Sequence, residues 1–143
     1  MEQRKIGISS QGLPTHYSAG VIIVCRGKYL LLDRKNIPFG FACPTGHVDE
    51  GEAPSVAAIR EVQEETGVVL NEVALVAEEE IDWNYCRSTI VHYWYLYRAA
   101  ILDDTLVFNK EETKSLGWYT PEEIKRLDLE PVWKYWLEKM NII

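Results

Sequence analysis

Basic residues are in short supply: 15 Lys and Arg stand against 22 Asp and Glu, a formal net charge of −7 at neutral pH. A duplex nucleic-acid binder presents a basic stripe, so that partner class is excluded. A phosphorylated small molecule is not, because a bound divalent cation inverts the local field. Cysteine is equally scarce. Cys25, Cys43 and Cys86 are odd in number and lack CxxC spacing, which excludes a disulfide framework and points to small buried thiols in a reducing compartment. The three histidines, His16, His47 and His92, share no metal-ligand spacing. The opening "MEQRKIGISS" carries no apolar run, so it does not read as a signal peptide, and no stretch reaches the length of a membrane span. A cytoplasmic protein without a membrane partner is expected. There is no internal repeat, low-complexity tract or linker, so residues 1–143 read as a single domain, long enough to bury a core.

What is present is an ordinary globular composition, 47% hydrophobic and 26% charged. Residues 1–16 read as a polar, irregular lead-in. "AGVIIVC" (19–25) and "KYLLLD" (28–33) are short β-branched and aliphatic runs, and Arg26-Gly27 between them suits a tight hairpin turn. Residues 34–54 are dense in Gly and Pro and read mostly as loop. Downstream, "EVALVAEEEID" (72–82) and "STIVHYWYLYRAAIL" (88–102) read as long strands, with "TLVF" (105–108) and "SLGWY" (115–119) as two short ones. Tyr93, Tyr95 and Tyr97 alternate with His92, Trp94 and Leu96, a pattern expected to pack both faces of a sheet. Thr120-Pro121-Glu122-Glu123 is a capping-box helix start, and a last helix is expected from near Pro131.

Between Pro54, suited to a first helical turn, and Gly67, suited to the position just past a helix end, lies a helix. Val56, Ala58, Ile59 and Val62 are expected as its buried stripe, with Ala57 on the acidic side. Glu61, Glu64 and Glu65 fall within one arc ~100° wide. Like charges at these spacings repel by ~0.2–0.5 kcal/mol per pair, and an amphipathic helix needs no such concentration of glutamate.

The segment from Gly46 to Val68 reads Gly46, five residues, Glu52, seven residues, then "REVQEETGV". It resembles the Nudix box, G-x5-E-x7-R-E-U-x-E-E-x-G-U with U a bulky aliphatic, at all nine restricted positions across 23 of the 143 residues. The resemblance implies an α/β fold of the Nudix type, an α/β/α sandwich with a mixed β-sheet between helices. It also implies hydrolysis of the diphosphate linkage in a nucleoside diphosphate derivative. Hard divalent cations, Mg²⁺ or Mn²⁺, prefer carboxylate oxygens, neutralise phosphate charge and activate water. Carboxylates at i, i+3 and i+4 on one helix can hold them, and metal binding offsets the repulsion.

By this resemblance Glu61, Glu64 and Glu65 are the metal ligands, supported by Glu52 and by Arg60, which orients a carboxylate through charge-assisted contact. The main-chain carbonyl before the box glycine, here Thr45, is a further ligand. Thr45 stands where the family commonly has Gly, and a carbonyl ligand survives that change unless the backbone needs a positive φ. Glu112, six residues before Trp118, is the candidate base or further ligand. Arg34 sits where relatives place a phosphate-contacting basic residue.

Chains of this length resemble MutT-type nucleoside triphosphate pyrophosphohydrolases first. Dinucleoside polyphosphate hydrolases often carry a Tyr at the place of Tyr85, 17 residues after Val68. ADP-ribose and nucleotide-sugar pyrophosphatases often have a Pro about 16 residues after the box, and none occurs between Pro54 and Pro121. A nucleotide-sensing domain without catalysis is the non-enzyme alternative; such domains usually lose box glutamates, and all four are kept here. The partner expected is a small-molecule nucleotide, and the protein a monomer or homodimer.

Overall fold

The computed structural model describes residues 3–84, 91–111 and 113–143. Tyr85, Cys86 and Glu112 lie outside the described residues. In chain order the elements are β1 (Ile6–Ile8), β2 (Pro14–Cys25), β3 (Lys28–Arg34), β4 (Gly40–Ala42), β5 (Thr45–His47), α1 (Pro54–Thr66), β6 (Ala74–Ile81), β7 (Val91–Ala100), β8 (Thr113–Tyr119), α2 (Pro121–Ile124) and α3 (Pro131–Lys139). Among the described residues all eight strands belong to one mixed sheet.

The long β2 is its spine. Along one edge β2 pairs in parallel with β7, from Thr15↔Val91 to Val24↔Ala100, and β7 pairs antiparallel with β6. Along the other edge β2 meets three strands in succession: β1 at 14–16, β5 at 18–20 and β3 at 24–25. The β2–β3 hairpin closes on Arg26 and Gly27, with φ of 50° and 77°, the positive pair that a two-residue turn between twisted strands requires. Only two register pairs join β2 to β3. Beyond them the strands part: β5 pairs with β2, while β4 pairs with β3, which also carries β8 on its opposite side. The candidate site opens where they part.

Alternation along the strands sorts the core onto two faces. On one, Ile22, Leu31, Trp94 and Leu96 pack beneath Ile124 of α2 and Val132, Trp133, Trp136 and Leu137 of α3. On the other, Ala19, Val21, Ile23, Leu30 and Tyr97 pack against Ala57, Ala58 and Val62 of α1. The result is the α/β sandwich, with the aromatic strand divided between its faces. Cys25 and Cys43 are buried free thiols, and burial pushes the Cys43 thiol up. Among the described residues no helix is long and apolar enough to cross a membrane.

Local signals placed α1 and α2 well. Gly67 terminates α1 in the left-handed region, φ 76°, with its N–H on the Gln63 carbonyl. Thr120 and Glu123 form both halves of a capping box. Three expectations need correction. The lead-in contains β1 and the start of β2, which pair with each other while β2 also pairs with β7; the segment read mostly as loop is so, apart from the short β4 and β5, which are stabilised by pairing with β3 and β2 rather than by their own composition. Residues 105–108 form no strand; Val107 instead donates its N–H to the Thr66 carbonyl at 2.8 Å, bracing the end of α1. The buried face of α1 is also rotated from the expected stripe. Val56 is 55% exposed, whereas Ala57 is fully buried and Glu65 only 9% exposed. The acidic arc is therefore turned toward the sheet.

Candidate active site

That rotation has a local cause at Gly46 of β5. A Cβ there would collide with the carboxylate of Glu61, so only the absence of a side chain lets the strand lie against the acidic arc. The next contact along follows from it: the Thr45 N–H donates to Glu65 Oε1 at 2.9 Å. Thr45 is held from the opposite layer as well, its Oγ1 accepting from Trp133 Nε1 at 2.9 Å while donating to the Cys43 carbonyl. One residue thus ties α1 to α3 through the sheet. Its φ is not positive, unlike those of Arg26 and Asn141, so the β-branched side chain fits the extended backbone.

Arg60 organises the rest. Its Nε and Nη2 grip the two oxygens of Glu52 at 2.9 and 3.0 Å. Its Nη1 reaches Glu61 at 2.7 Å and Glu64 at 3.4 Å, and Nη2 also donates to the His47 carbonyl. Asp49 lies 3.4 Å from the same nitrogen. The planar fork of donors suits this many acceptors as an ammonium does not. Arg60 holds the Glu52 carboxyl below the usual carboxylate range, chiefly through that hydrogen bond, and Glu52 raises Arg60 in return. Glu52 also accepts the Asp49 N–H at 3.0 Å. A cation among four carboxylates removes much of the repulsion that the sequence left unexplained.

Arg60, Asp49, Glu61 and Glu65 border a cleft of about 520 Å³, within the ~300–1,000 Å³ of small-molecule sites. Glu61 and Glu65 line it from α1, Thr45, Gly46 and His47 from β5, and Arg34 from β3. Glu64 is the exposed member of the arc, its side chain 55% accessible. Arg34 donates from Nε to the Pro38 carbonyl at 2.8 Å and stands 3.7 Å from Glu130. Of the predicted site residues, the structure brings Glu52, Arg60, Glu61, Glu64, Glu65, Thr45 and Arg34 together. Tyr85 and Glu112 fall outside the described residues.

Sequence reasoning missed several groups here. Glu130 precedes α3 and lines the cleft; burial pushes its carboxyl up to about 7, with Arg34 pulling the other way. It can therefore donate or accept a hydrogen bond near neutrality. It stands directly before Pro131 at the start of α3, and its side chain makes no cap hydrogen bond. Asp49 occupies an unrestricted position of the box, so the motif did not mark it. His16, His47 and His92, unrelated by spacing, converge at one wall. Burial pushes His47 down to about 3, aided by Arg4, and lowers His92 as well.

Carboxylates held beside such a cleft are what a hydrolase needs to set a divalent cation against a phosphate anhydride. Comparison with known proteins names the family. The NUDIX domain model matches residues 14–140, and the chain belongs to the Nudix hydrolases, pyrophosphohydrolases that use divalent metals. It is 37% identical over 122 residues to an RNA pyrophosphohydrolase of Cereibacter sphaeroides, covering 74% of this chain and 75% of that one. It is 31% identical over 108 residues to a candidate 8-oxo-dGTP diphosphatase of Bacillus subtilis, covering 73% and 68%. The crystal structure of a MutT Nudix hydrolase from Burkholderia pseudomallei superposes with a TM-score of 0.76 at 24% identity, over 87% of this chain and 96% of that one, a likeness of fold.

Proposed function

We propose that this chain acts as a single Nudix domain that hydrolyses a nucleoside triphosphate, releasing pyrophosphate and a nucleoside monophosphate. The observation that carries the reading is the placement of Glu61 and Glu65 on the wall of a nucleotide-sized cleft that Arg34 also lines. Glu61, Glu64 and Glu65, with the Thr45 carbonyl, are the residues to hold Mg²⁺ or Mn²⁺; the hard donor set fits. The cation, when bound, neutralises phosphate oxygens and activates water. Arg60 positions Glu61 and Glu64, and Glu52 anchors Arg60. Arg34 brings positive charge to the phosphates. Glu112 is the proposed base or further ligand, and a cytoplasmic location agrees with the reading.

A triphosphate at an RNA 5′ end is the second reading, favoured by the Cereibacter sphaeroides relative. It presents the same anhydride on a longer, anionic ligand, which a chain of net charge −7 would receive less well. The test is a panel with Mg²⁺: nucleoside and deoxynucleoside triphosphates, oxidised dGTP, 5′-triphosphorylated RNA, dinucleoside polyphosphates and ADP-ribose. Pyrophosphate release from a free triphosphate supports the first reading. Preference for the RNA end selects the second. Turnover of dinucleoside polyphosphates alone would overturn both and bring Tyr85 forward as a substrate contact.

A further inference from the structure

We propose that His16, His47 and His92 form a second metal site, for a borderline transition-metal ion of the Zn²⁺ class, distinct from the carboxylate set on α1. The sheet register builds it. His16 lies opposite His92 across the parallel β2–β7 pair, and His47 of β5 lies opposite Ser18, two residues along β2 from His16. Register partners and residues two apart share one face of a sheet, so three neighbouring strands aim three imidazoles at one point. Their ring centroids are 5.1 Å apart for His16–His47, 5.3 Å for His47–His92 and 6.5 Å for His16–His92.

The nitrogen geometry is that of a ligand set. One nitrogen from each ring lies within 4.8 Å of the other two. The Nε2 atoms of His47 and His92 are 3.2 Å apart, close to the ~3.3 Å separating two ligands at ~2.0–2.1 Å on a tetrahedral ion. The tautomer of His92 is set from behind. Its Nδ1 lies 2.7 Å from the Asn84 carbonyl, which only accepts, so Nδ1 carries the proton and the Nε2 lone pair faces His47. Asn84 is itself fixed, its Oδ1 accepting from Trp94 Nε1 at 3.0 Å. Outer hydrogen bonds of this kind orient metal-binding imidazoles. Without an ion, His47 Nε2–H donates to His92 Nε2; with one, a change of tautomer at His47 turns both lone pairs on the metal.

Ligand chemistry separates the two sites. Imidazole suits Zn²⁺, Co²⁺, Ni²⁺ and Cu²⁺, whereas the carboxylates of α1 suit Mg²⁺ and Mn²⁺. His16 and His92 are buried, at 6% and 5% exposure, while His47 and His92 line the cleft, which supplies access and an open fourth position. Arg4 and Arg34 line the same cleft, and their charge favours an anionic fourth ligand. The site shares its cleft with the proposed nucleotide, but none of its three ligands is a residue assigned to Mg²⁺ or to the phosphates.

The experiment strips the full chain with chelator, then titrates it with Co²⁺ in excess Mg²⁺ and follows both visible absorption and calorimetry. The same is done for His47→Asn, half-buried and so the gentlest of the three changes, and for Glu64→Gln. The expected result is one equivalent of Co²⁺ with intense tetrahedral bands that persist in Mg²⁺ and in Glu64→Gln. Affinity should fall at least ~10-fold in His47→Asn, and Zn²⁺ should displace the Co²⁺. Weak octahedral bands removed by Mg²⁺ or by Glu64→Gln would assign the ion to the carboxylates and overturn the proposal. So would the absence of Co²⁺ binding by the folded wild-type chain, a result that does not depend on how any variant folds.

Discussion

Arg60 holds both carboxylate oxygens of Glu52, at 2.9 and 3.0 Å, while its third nitrogen reaches Glu61 at 2.7 Å. The Arg60 and Glu52 side chains are 23% and 15% exposed, and a hydrogen bond to a charged group contributes ~1.5–3 kcal/mol, less where solvent screens it. Arg60→Ala is expected to lower stability by roughly 2–3 kcal/mol in urea unfolding. Arg60→Lys keeps the charge but loses the fork, so it should recover part of that stability and much less of the activity. Equal activity of the lysine variant and the wild type would show that the charge alone suffices.

Gly46→Ala places a methyl group against the Glu61 carboxylate. Overpacking of this kind costs ~1–3 kcal/mol, and the movement falls on a proposed metal ligand. The expected outcome is weaker Mg²⁺ binding by calorimetry together with a loss of turnover that raising Mg²⁺ partly restores. Unchanged Mg²⁺ affinity would remove Glu61 from the ligand set.

Trp133 and Thr45 link the two helical layers. The double-mutant cycle of Trp133→Phe with Thr45→Val is expected to give a coupling of ~1 kcal/mol, the contribution of one buried hydrogen bond. A coupling within error of zero would mean that Trp133 acts on Thr45 through packing alone.

Stability should depend on pH with opposite signs at two groups. Glu130 rises from 4.5 to about 7 on folding; its contribution is complete below pH 4.5 and is lost as pH rises through 7. The loss is roughly 3 kcal/mol at most. His47 falls from 6.5 to about 3; its contribution is complete above pH 6.5 and is lost as pH falls toward 3. Glu130→Gln, which keeps the uncharged form, is expected to raise the urea midpoint at pH 8 and leave it little changed at pH 4.5. A midpoint lowered at pH 8 would show that the Arg34 ion pair outweighs burial.

The sequence made legible whatever is encoded locally. Pro54 and Gly67 bracket α1, Arg26-Gly27 turns the hairpin and Thr120 caps α2, each through backbone chemistry confined to a few residues. The nine box positions assembled the acidic arc and Arg60. What escaped depends on contacts distant in sequence. β1 and β5 exist because β2 offers them an edge. The true face of α1 is set by the missing side chain at Gly46, which periodicity within the helix cannot register. The three histidines come from three strands and meet only once the β2–β7 and β2–β5 registers are known.

The most direct test of the central claim is pyrophosphate release from the preferred nucleoside triphosphate, titrated with Mg²⁺, by wild type and Glu64→Gln side by side. Glu64 is half exposed, so the amide should leave the melting temperature in the absence of metal unchanged. The account predicts a loss of turnover by orders of magnitude in the variant, accompanied by loss of the Mg²⁺-induced rise in melting temperature. Wild-type turnover by a folded Glu64→Gln protein would contradict it.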